Sequence, residues 1–218
     1  MPKRATQRVG ELRIRVAEEA ARIMREQGIR DFLLAKRKAA DRLGIVERHA
    51  LPANQEIADA LAAQQRLFGG AAHHDNLRAL RETALDAMRL LQDFSPRLVG
   101  PVLAGTATPH TDISLHVFAP TPEEIAFLLI ERGIRYRSGE RRVRLAGGEH
   151  ASFPSFEFEA GAVPVEATVF PEQGLREAPV CPVTGGQMRR ARRDEVAALL
   201  TATDRPADDT VTGLPGRD

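Results

Sequence analysis

The spacing of apolar residues along the first seventy positions predicts three helices. The first helix ends at Gly28, and its apolar side chains share one face: Leu12, Val16, Ala20, Ile23 and Met24. The second covers about 32–43 and stops at Gly44. The third follows Pro52 with Asn54 as its N-cap, and its apolar stripe consists of Ile57, Leu61, Leu67 and Phe68.

A glycine-rich stretch at 69–74 interrupts this pattern and predicts a loop or hinge. A long helix over about 76–93 follows and stops before Pro96. Its apolar stripe consists of Leu77, Leu80, Ala84, Ala87, Met88 and Leu91. We therefore divide the chain into a helical N-terminal region, 1–70, and a second domain, 71–201.

The second domain alternates between extended and helical patterns. A helix start is predicted at Thr121 as cap, with Pro122 in the first turn and Glu124 at the capping-box position, and this helix ends at Gly133. A short helix over about 192–201 closes the domain, and the polar segment 202–218 is expected to be disordered. The predicted strands cover about 97–104, 112–118, 136–145, 153–159 and 163–170. This order favours an α+β fold in which helices cover one mixed sheet.

Charge and cysteine content exclude only a few classes of protein. The 218 residues carry a net charge of +1, but the first fifty hold 13 Lys and Arg against 7 Asp and Glu. A second basic cluster consists of Arg189, Arg190, Arg192 and Arg193. Such clusters are solvated helix faces or phosphate contacts. The single cysteine excludes an internal disulfide framework, and the chain has no apolar run of about 20 residues for a membrane span. We expect a cytoplasmic protein without a membrane partner.

The segment from Leu98 to Leu115 carries the most specific motif. An apolar strand leads into a glycine loop, and a second strand follows with a carboxylate at its start. The residues Gly100, Gly105, Thr111 and Asp112 fall at the spacing of a motif that reads G-S, three residues, G, five residues and S-D-x-D. The chain resembles the DNA polymerase β-like nucleotidyltransferase superfamily, which has this motif. Pro101 stands in place of the motif serine, and Ser114 stands in place of its second aspartate.

The resemblance implies a nucleotidyltransferase-like mixed sheet and a site for a nucleoside triphosphate and Mg²⁺. Hydroxyl and backbone groups would contact the phosphates, and carboxylates would hold the metal. The implied phosphate contacts are Gly100, Gly105, Thr106, Thr111 and Ser114. The implied metal ligands are Asp112, Glu166 and His116, and the catalytic residues are Asp112 and Glu166.

Each of these metal ligands has a structural alternative. A strand period of two places Asp112, Ser114 and His116 on one face, but Asp112 also suits a residue that caps the preceding loop. His116 is also typical of a hydrogen-bonded histidine on a half-buried strand, and imidazole is a poor ligand for Mg²⁺. Glu166 is flanked by apolar residues, and a charge buried there is costly unless it is paired or bound to a metal. The structural alternative is a glutamate that faces outward on a half-exposed strand.

Two functions are compatible with this pattern. The first is a nucleotidyltransferase-fold protein with an eroded metal site that transfers a nucleoside monophosphate from a triphosphate to an unidentified acceptor. The alternative is a non-catalytic module that keeps the fold and binds nucleic acid or a protein through its basic helices. Loss of a metal ligand costs several kcal/mol at the transition state, and each ~1.4 kcal/mol is tenfold in rate. This cost favours the module. The sequence indicates neither the base preference nor the oligomeric state.

Overall fold

The fold is α+β. The computed structural model describes residues 2–45 and 50–203, with side chains described at 8–45, 50–67 and 69–201. The helices are α1 Pro2–Gln27, α2 Phe32–Leu43, α3 Asn54–Gln64, α4 Gly70–Leu90, α5 Gly100–Ala104, α6 Pro122–Glu131 and α7 Arg193–Thr203. The strands are β1 Arg97–Val99, β2 Ile113–Phe118, β3 Tyr136–Arg144, β4 His150–Ala160 and β5 Val163–Phe170. No helix in this described part is long and apolar enough to cross a membrane.

The first three helices share their own hydrophobic cluster. The apolar face of α1 packs against α2 and α3, and Val16, Ala20 and Ile23 are fully buried. Helix α1 ends before Gly28, whose φ of 65° is in the left-handed region that glycine adopts readily. The predicted face and end of this helix are confirmed.

Helix α2 has the predicted bounds. Its C-terminus is closed by Gly44, also at φ 65°, whose N–H donates to the carbonyls of Ala40 and Asp41. At the other end the Asp31 carboxylate accepts a hydrogen bond from the Leu34 N–H at 2.8 Å. This N-cap was not predicted.

Helix α3 differs from the prediction at both ends. Ala53, not Asn54, occupies the N-cap position, and the Glu56 carboxylate accepts from its N–H at 2.6 Å. The Asn54 side chain instead donates to the carbonyl of Pro182 at 2.8 Å, so a tertiary contact replaces the local cap. Leu67 was predicted in the apolar stripe but is 76% exposed, because a π-helix shifts the faces beyond Gln64. The side chain of Phe68 lies outside the described residues.

The predicted hinge at 69–74 is wrong, since this stretch is helical. A π-helix, Gln65–Gly69, leads directly into α4, which starts at Gly70. Gly70 has a φ of 47°, so the glycine pair breaks the regular helix without forming a loop. The predicted apolar stripe of this helix is confirmed, and all six residues are buried.

The five strands form one mixed sheet in the order β1-β2-β5-β4-β3. Strands β2 and β5 are parallel, and the other neighbours are antiparallel. Strand β3 forms one edge of the sheet and is largely exposed. One face of the sheet packs against α4, α6 and α7 around Ile113, Leu115 and Val117.

Alternation places a different set of side chains on the opposite face of the sheet. We call this the second face; it carries Arg97, Ser114, His116, Glu157, Glu166 and Thr168. His116 and Thr168 are nevertheless buried, because the segment after β5 folds over them through Arg190.

The structure corrects three further boundaries. The predicted strand 97–104 ends at Val99, because Gly100 turns at φ 73° and Pro101 then starts the short helix α5. Thr121 occupies the N-cap position of α6 without the side-chain hydrogen bond of a capping box. Helix α7 includes 202 and 203, where disorder was predicted, and 204–218 lie outside the described residues.

Candidate functional site

The register of the sheet brings three of the predicted site residues together on the second face. Ser114 of β2 lies directly opposite Glu166 of the parallel strand β5. Ser114 is also opposite Val99, and the chain turns at Gly100 immediately afterwards. A Cβ on Gly100 would lie 3.8 Å from both Cβ and Oγ of Ser114. Gly100, Ser114 and Glu166 are therefore close neighbours.

Asp112 lies just before β2 and is held by the helical N-terminal region. Both oxygens of its carboxylate pair with the Arg30 guanidinium, Nη2 to Oδ1 at 2.6 Å and Nη1 to Oδ2. Arg30 comes from the short connection between α1 and α2. Asp112 and Thr111 line a first cavity of about 330 Å³ between this connection, α4 and the β4–β5 turn. The side chain of Asp112 is thus occupied by an ion pair across the two regions.

Glu166 is flanked by charges from the neighbouring strands. Its register partner on β4 is a second carboxylate, Glu157. Strand β3 supplies one arginine to each: Arg141 Nη1 lies 3.8 Å from Glu166 Oε1, and Arg137 Nη2 lies 3.4 Å from Glu157 Oε2. Like charges directly opposite each other are unfavourable. The two arginines offset this repulsion.

His116 is buried and neutral. Its Nδ1 accepts a hydrogen bond from Arg190 Nε at 2.9 Å, and its ring packs on Phe170 at 4.6 Å between centroids. Burial above all, and then the positive charges of Arg190 and Arg141, lower the pKa of His116 to about 3. The imidazole therefore acts as a hydrogen-bond acceptor that orients Arg190.

Arg190 closes over the second face from the segment after β5. Its guanidinium lies 5.0 Å from the ring centroid of Phe118 and 4.9 Å from that of Phe170, and Nη1 donates to the carbonyl of Gly174 at 2.6 Å. Burial first, and then the charge of Arg97, lower its pKa to about 10. Its Nη2 is buried without a hydrogen-bond partner among the described residues.

Four arginines converge on this part of the second face, and we call them the arginine cluster: Arg97, Arg141, Arg190 and Arg192. Burial and then the charge of Arg192 lower the pKa of Arg97, which Glu195 opposes. Arg141 and Arg190 both act on His116, as described above. Arg141 and Arg192 are exposed at the rim, whereas Arg97 and Arg190 are partly buried. The cluster places positive charge beside the predicted carboxylate Glu166.

The other predicted phosphate contacts do not join Gly100 and Ser114. Gly105 and Thr106 line a second cavity of about 380 Å³, beside the π-helix and α4. The hydroxyl of Thr111 accepts from the Thr108 N–H at 2.8 Å and stabilises the loop before β2. The motif residues are thus distributed over the second face and the two cavities.

Comparison with known proteins identifies no family. No family model, no curated protein and no solved structure matches this chain. The superfamily resemblance stays a prediction that depends on the motif residues and their spacing.

The donor groups present do not fit a two-metal magnesium site. Among the residues that the structure describes, no three or more His, Cys, Asp or Glu side chains are grouped to hold a metal ion. The predicted ligands Asp112, Glu166 and His116 are thus not assembled into such a group. Asp112 is paired with Arg30, and Ser114 is neutral where a second carboxylate is needed.

Two residues with evident roles were missed by sequence reasoning. Arg190 belonged to a recognised basic cluster, but its position over His116 depends on a tertiary fold that no local spacing reveals. Arg30 meets Asp112 across 82 positions of sequence, and no motif marks it.

Proposed function

We propose that this chain is a nucleotidyltransferase-fold protein that binds nucleic acid through the arginine cluster and does not carry out nucleotidyl transfer efficiently. The observation that carries the proposal is the placement of these arginines on the second face. Arg190 donates to His116, Arg97 lies opposite His116 in the register, and Arg141 lies 3.8 Å from Glu166. Arg192 follows Ala191, which bridges to Leu98 of β1.

The arrangement of β1, α5, β2 and β5 supports the fold in this proposal. A strand leads through Gly100 into a short helix, and the next strand places Ser114 beside a carboxylate of a parallel neighbour. The two neighbouring strands and the glycine turn agree with the motif, whereas the short helix α5 replaces part of the strand that was expected there.

Nucleic-acid binding is supported by the chemistry of the cluster. Guanidinium groups present planar donors that match phosphate oxygens, and contacts to successive phosphates give most of the affinity of non-specific binding. Phe118 and Phe170 hold Arg190 in place, and its charge adds to the positive potential around the exposed Arg141 and Arg192. Two carboxylates oppose the cluster: Glu166 lies 3.8 Å from Arg141, and Glu195 accepts from the backbone N–H of Arg192 at 2.7 Å.

The proposal of inefficient transfer depends on Asp112 and Ser114. A hydroxyl at 114 supplies no charge to a metal, and the Arg30 ion pair competes for the Asp112 carboxylate. A metal at this site would have to displace Arg30 and would have fewer anionic ligands than the reaction requires.

The basic patch on α2 is a weaker nucleic-acid surface than the cluster. Burial lowers the pKa of Lys36, and the Lys38 ammonium donates to Gln27 at 3.2 Å. Arg37 and Lys38 are exposed on this patch. It provides a comparison surface for experiments.

Binding of a short fluorescent RNA, measured by anisotropy over a salt series, tests the proposal. The double variant Arg141→Ala/Arg192→Ala removes two exposed cations, and we expect weaker binding with a salt slope reduced by about two. The control Arg89→Ala removes an exposed arginine that pairs with Asp86 on α4 and should bind as the wild type does. Unchanged binding in the double variant, with loss in Lys36→Ala/Arg37→Ala/Lys38→Ala, would place the interface on α2 instead.

Magnesium-dependent nucleotidyl transfer is the second candidate, favoured by the register of Ser114 opposite Glu166 next to Gly100. Incubation with labelled nucleoside triphosphates, Mg²⁺ and total RNA distinguishes the two. Label incorporation that Asp112→Ala abolishes would establish transfer and overturn the proposal. If the protein shows no incorporation and no RNA binding, the proposal is also overturned, and a protein partner is the remaining candidate.

A further inference from the structure

The second cavity, of about 380 Å³, has a lining that the proposed function does not use. It lies between the π-helix, the first turns of α4 and the chain that follows α5. Its ionisable lining residues are Arg66, His73 and His74, and no carboxylate of the described residues lines it. Pockets of this volume hold small metabolites.

A buried cation lies directly behind this lining. Arg81 of α4 is only 7% exposed. A Cβ on Gly105, which lines the cavity, would lie 3.8 Å from Arg81 Nη2. Arg81 Nε donates to the Val102 carbonyl at 3.3 Å, and no carboxylate is paired with its guanidinium among the described residues. A charge with so little solvent contact is costly without an anion nearby.

A buried acceptor also lines the cavity. Gln65 is 7% exposed, and its Nε2 donates to the carbonyls of Ala107 at 2.9 Å and Thr106 at 3.2 Å. These two bonds fix the amide orientation, which leaves Oε1 as the acceptor. Oε1 is buried without a partner in the described part of the chain. A ligand hydroxyl would satisfy it.

We infer that the second cavity is a binding site for a small phosphate ester that also carries hydroxyl groups. Arg66 and His73 line the cavity and contact the phosphate, Arg81 adds positive charge from behind Gly105, and Gln65 accepts from a hydroxyl. The site is separate from the arginine cluster, because none of the four cluster arginines lines the cavity.

The imidazole signals of His73 and His74 in NMR spectra of the full chain report on the cavity directly. Ribose 5-phosphate is the probe, and inorganic phosphate is the comparison. We expect saturable shifts of both histidine signals, with tighter binding of ribose 5-phosphate because only it satisfies Gln65. Absent or non-saturable shifts, or equal affinity for inorganic phosphate, would overturn the inference.

Variants separate this site from the proposed nucleic-acid surface. Arg66 is exposed, so Arg66→Ala should fold normally while weakening ribose 5-phosphate binding by about tenfold. Arg141→Ala and the control Arg89→Ala should leave the titration unchanged. Wild-type affinity in Arg66→Ala, or loss in Arg141→Ala, would overturn the site. Arg81→Gln, checked for folding by circular dichroism, should weaken binding in the same way.

Discussion

At the scale of single residues, His116 shows how burial fixes a protonation state. The imidazole accepts from Arg190, and Arg141 adds a second positive charge nearby. A proton on Nδ1 would remove the acceptor of the Arg190 hydrogen bond. It would also place a positively charged His116 beside Arg190 and Arg141. The neutral ring is therefore required for Arg190 to lie over Phe118 and Phe170.

This requirement predicts a dependence of stability on pH. The pKa of His116 is about 3 in the folded protein against 6.5 for an ordinary histidine, so the unfolded chain binds the proton first as pH falls. The stabilisation is fully present above pH 6.5 and is lost towards pH 3, by about 1.4 kcal/mol per pH unit. Urea unfolding at several pH values should show a shallower loss for His116→Gln than for the wild type. Parallel curves would contradict this.

The candidate site was predictable only in part, for reasons visible at Asp112 and Ser114. Strand alternation predicts that Asp112, Ser114 and His116 share a face. The register bears this out for Ser114 and His116, whereas Asp112 lies before β2 and pairs with Arg30. The pattern contains no information on the partner of Asp112, because Arg30 reaches it through tertiary packing. Ionic partners far apart in sequence depend on the relative placement of elements, which local periodicity does not specify.

At the scale of elements, the N-cap of α2 makes a local contribution that a substitution can measure. Asp31 accepts from the Leu34 N–H at 2.8 Å, which satisfies one of the free donors at the helix start. We expect Asp31→Ala to lower the free energy of unfolding by about 1 kcal/mol, whereas Asp31→Asn keeps the acceptor and most of the stability. Urea unfolding of the three proteins checks this. Equal losses in both variants would mean that charge, not capping, stabilises the helix.

Helices with one apolar face and a glycine stop were predicted well, as α1 and α2 show. Their signals are local, since periodicity and a left-handed C-terminal glycine lie within the element. The stretch 97–104 was harder, because apolar residues at short range are compatible with either strand or helix. In the structure Gly100, at φ 73° in the left-handed region that glycine adopts readily, ends the strand before the helix begins. The π-helix at 65–69 follows from packing and has no sequence signal.

At the scale of the whole molecule, polar contacts join two hydrophobic clusters. One cluster belongs to α1, α2 and α3, and the other to the sheet with α4, α6 and α7. Arg30 with Asp112, and Asn54 with the Pro182 carbonyl, cross between the two parts. These contacts fix how the helical region meets the sheet.

A double-mutant cycle measures the ionic contact between these parts. Arg30 is largely exposed, so its pair with Asp112 is screened by solvent. We expect a coupling of about 0.5 kcal/mol between Arg30→Ala and Asp112→Ala in unfolding free energy, reduced at high salt. Strict additivity of the two substitutions would indicate that the pair contributes nothing to the joining of the regions.

The exposed edge strand β3 bears on whether copies of the protein aggregate. Strand β3 lies at one end of the sheet, where free backbone groups invite pairing with a strand of another molecule. Its charged residues are Arg137, Glu140, Arg141, Arg142 and Arg144. Pairing of β3 with the same strand of another copy would bring several arginines together and remove them from water. The same charges that surround the second face thus protect the chain against aggregation.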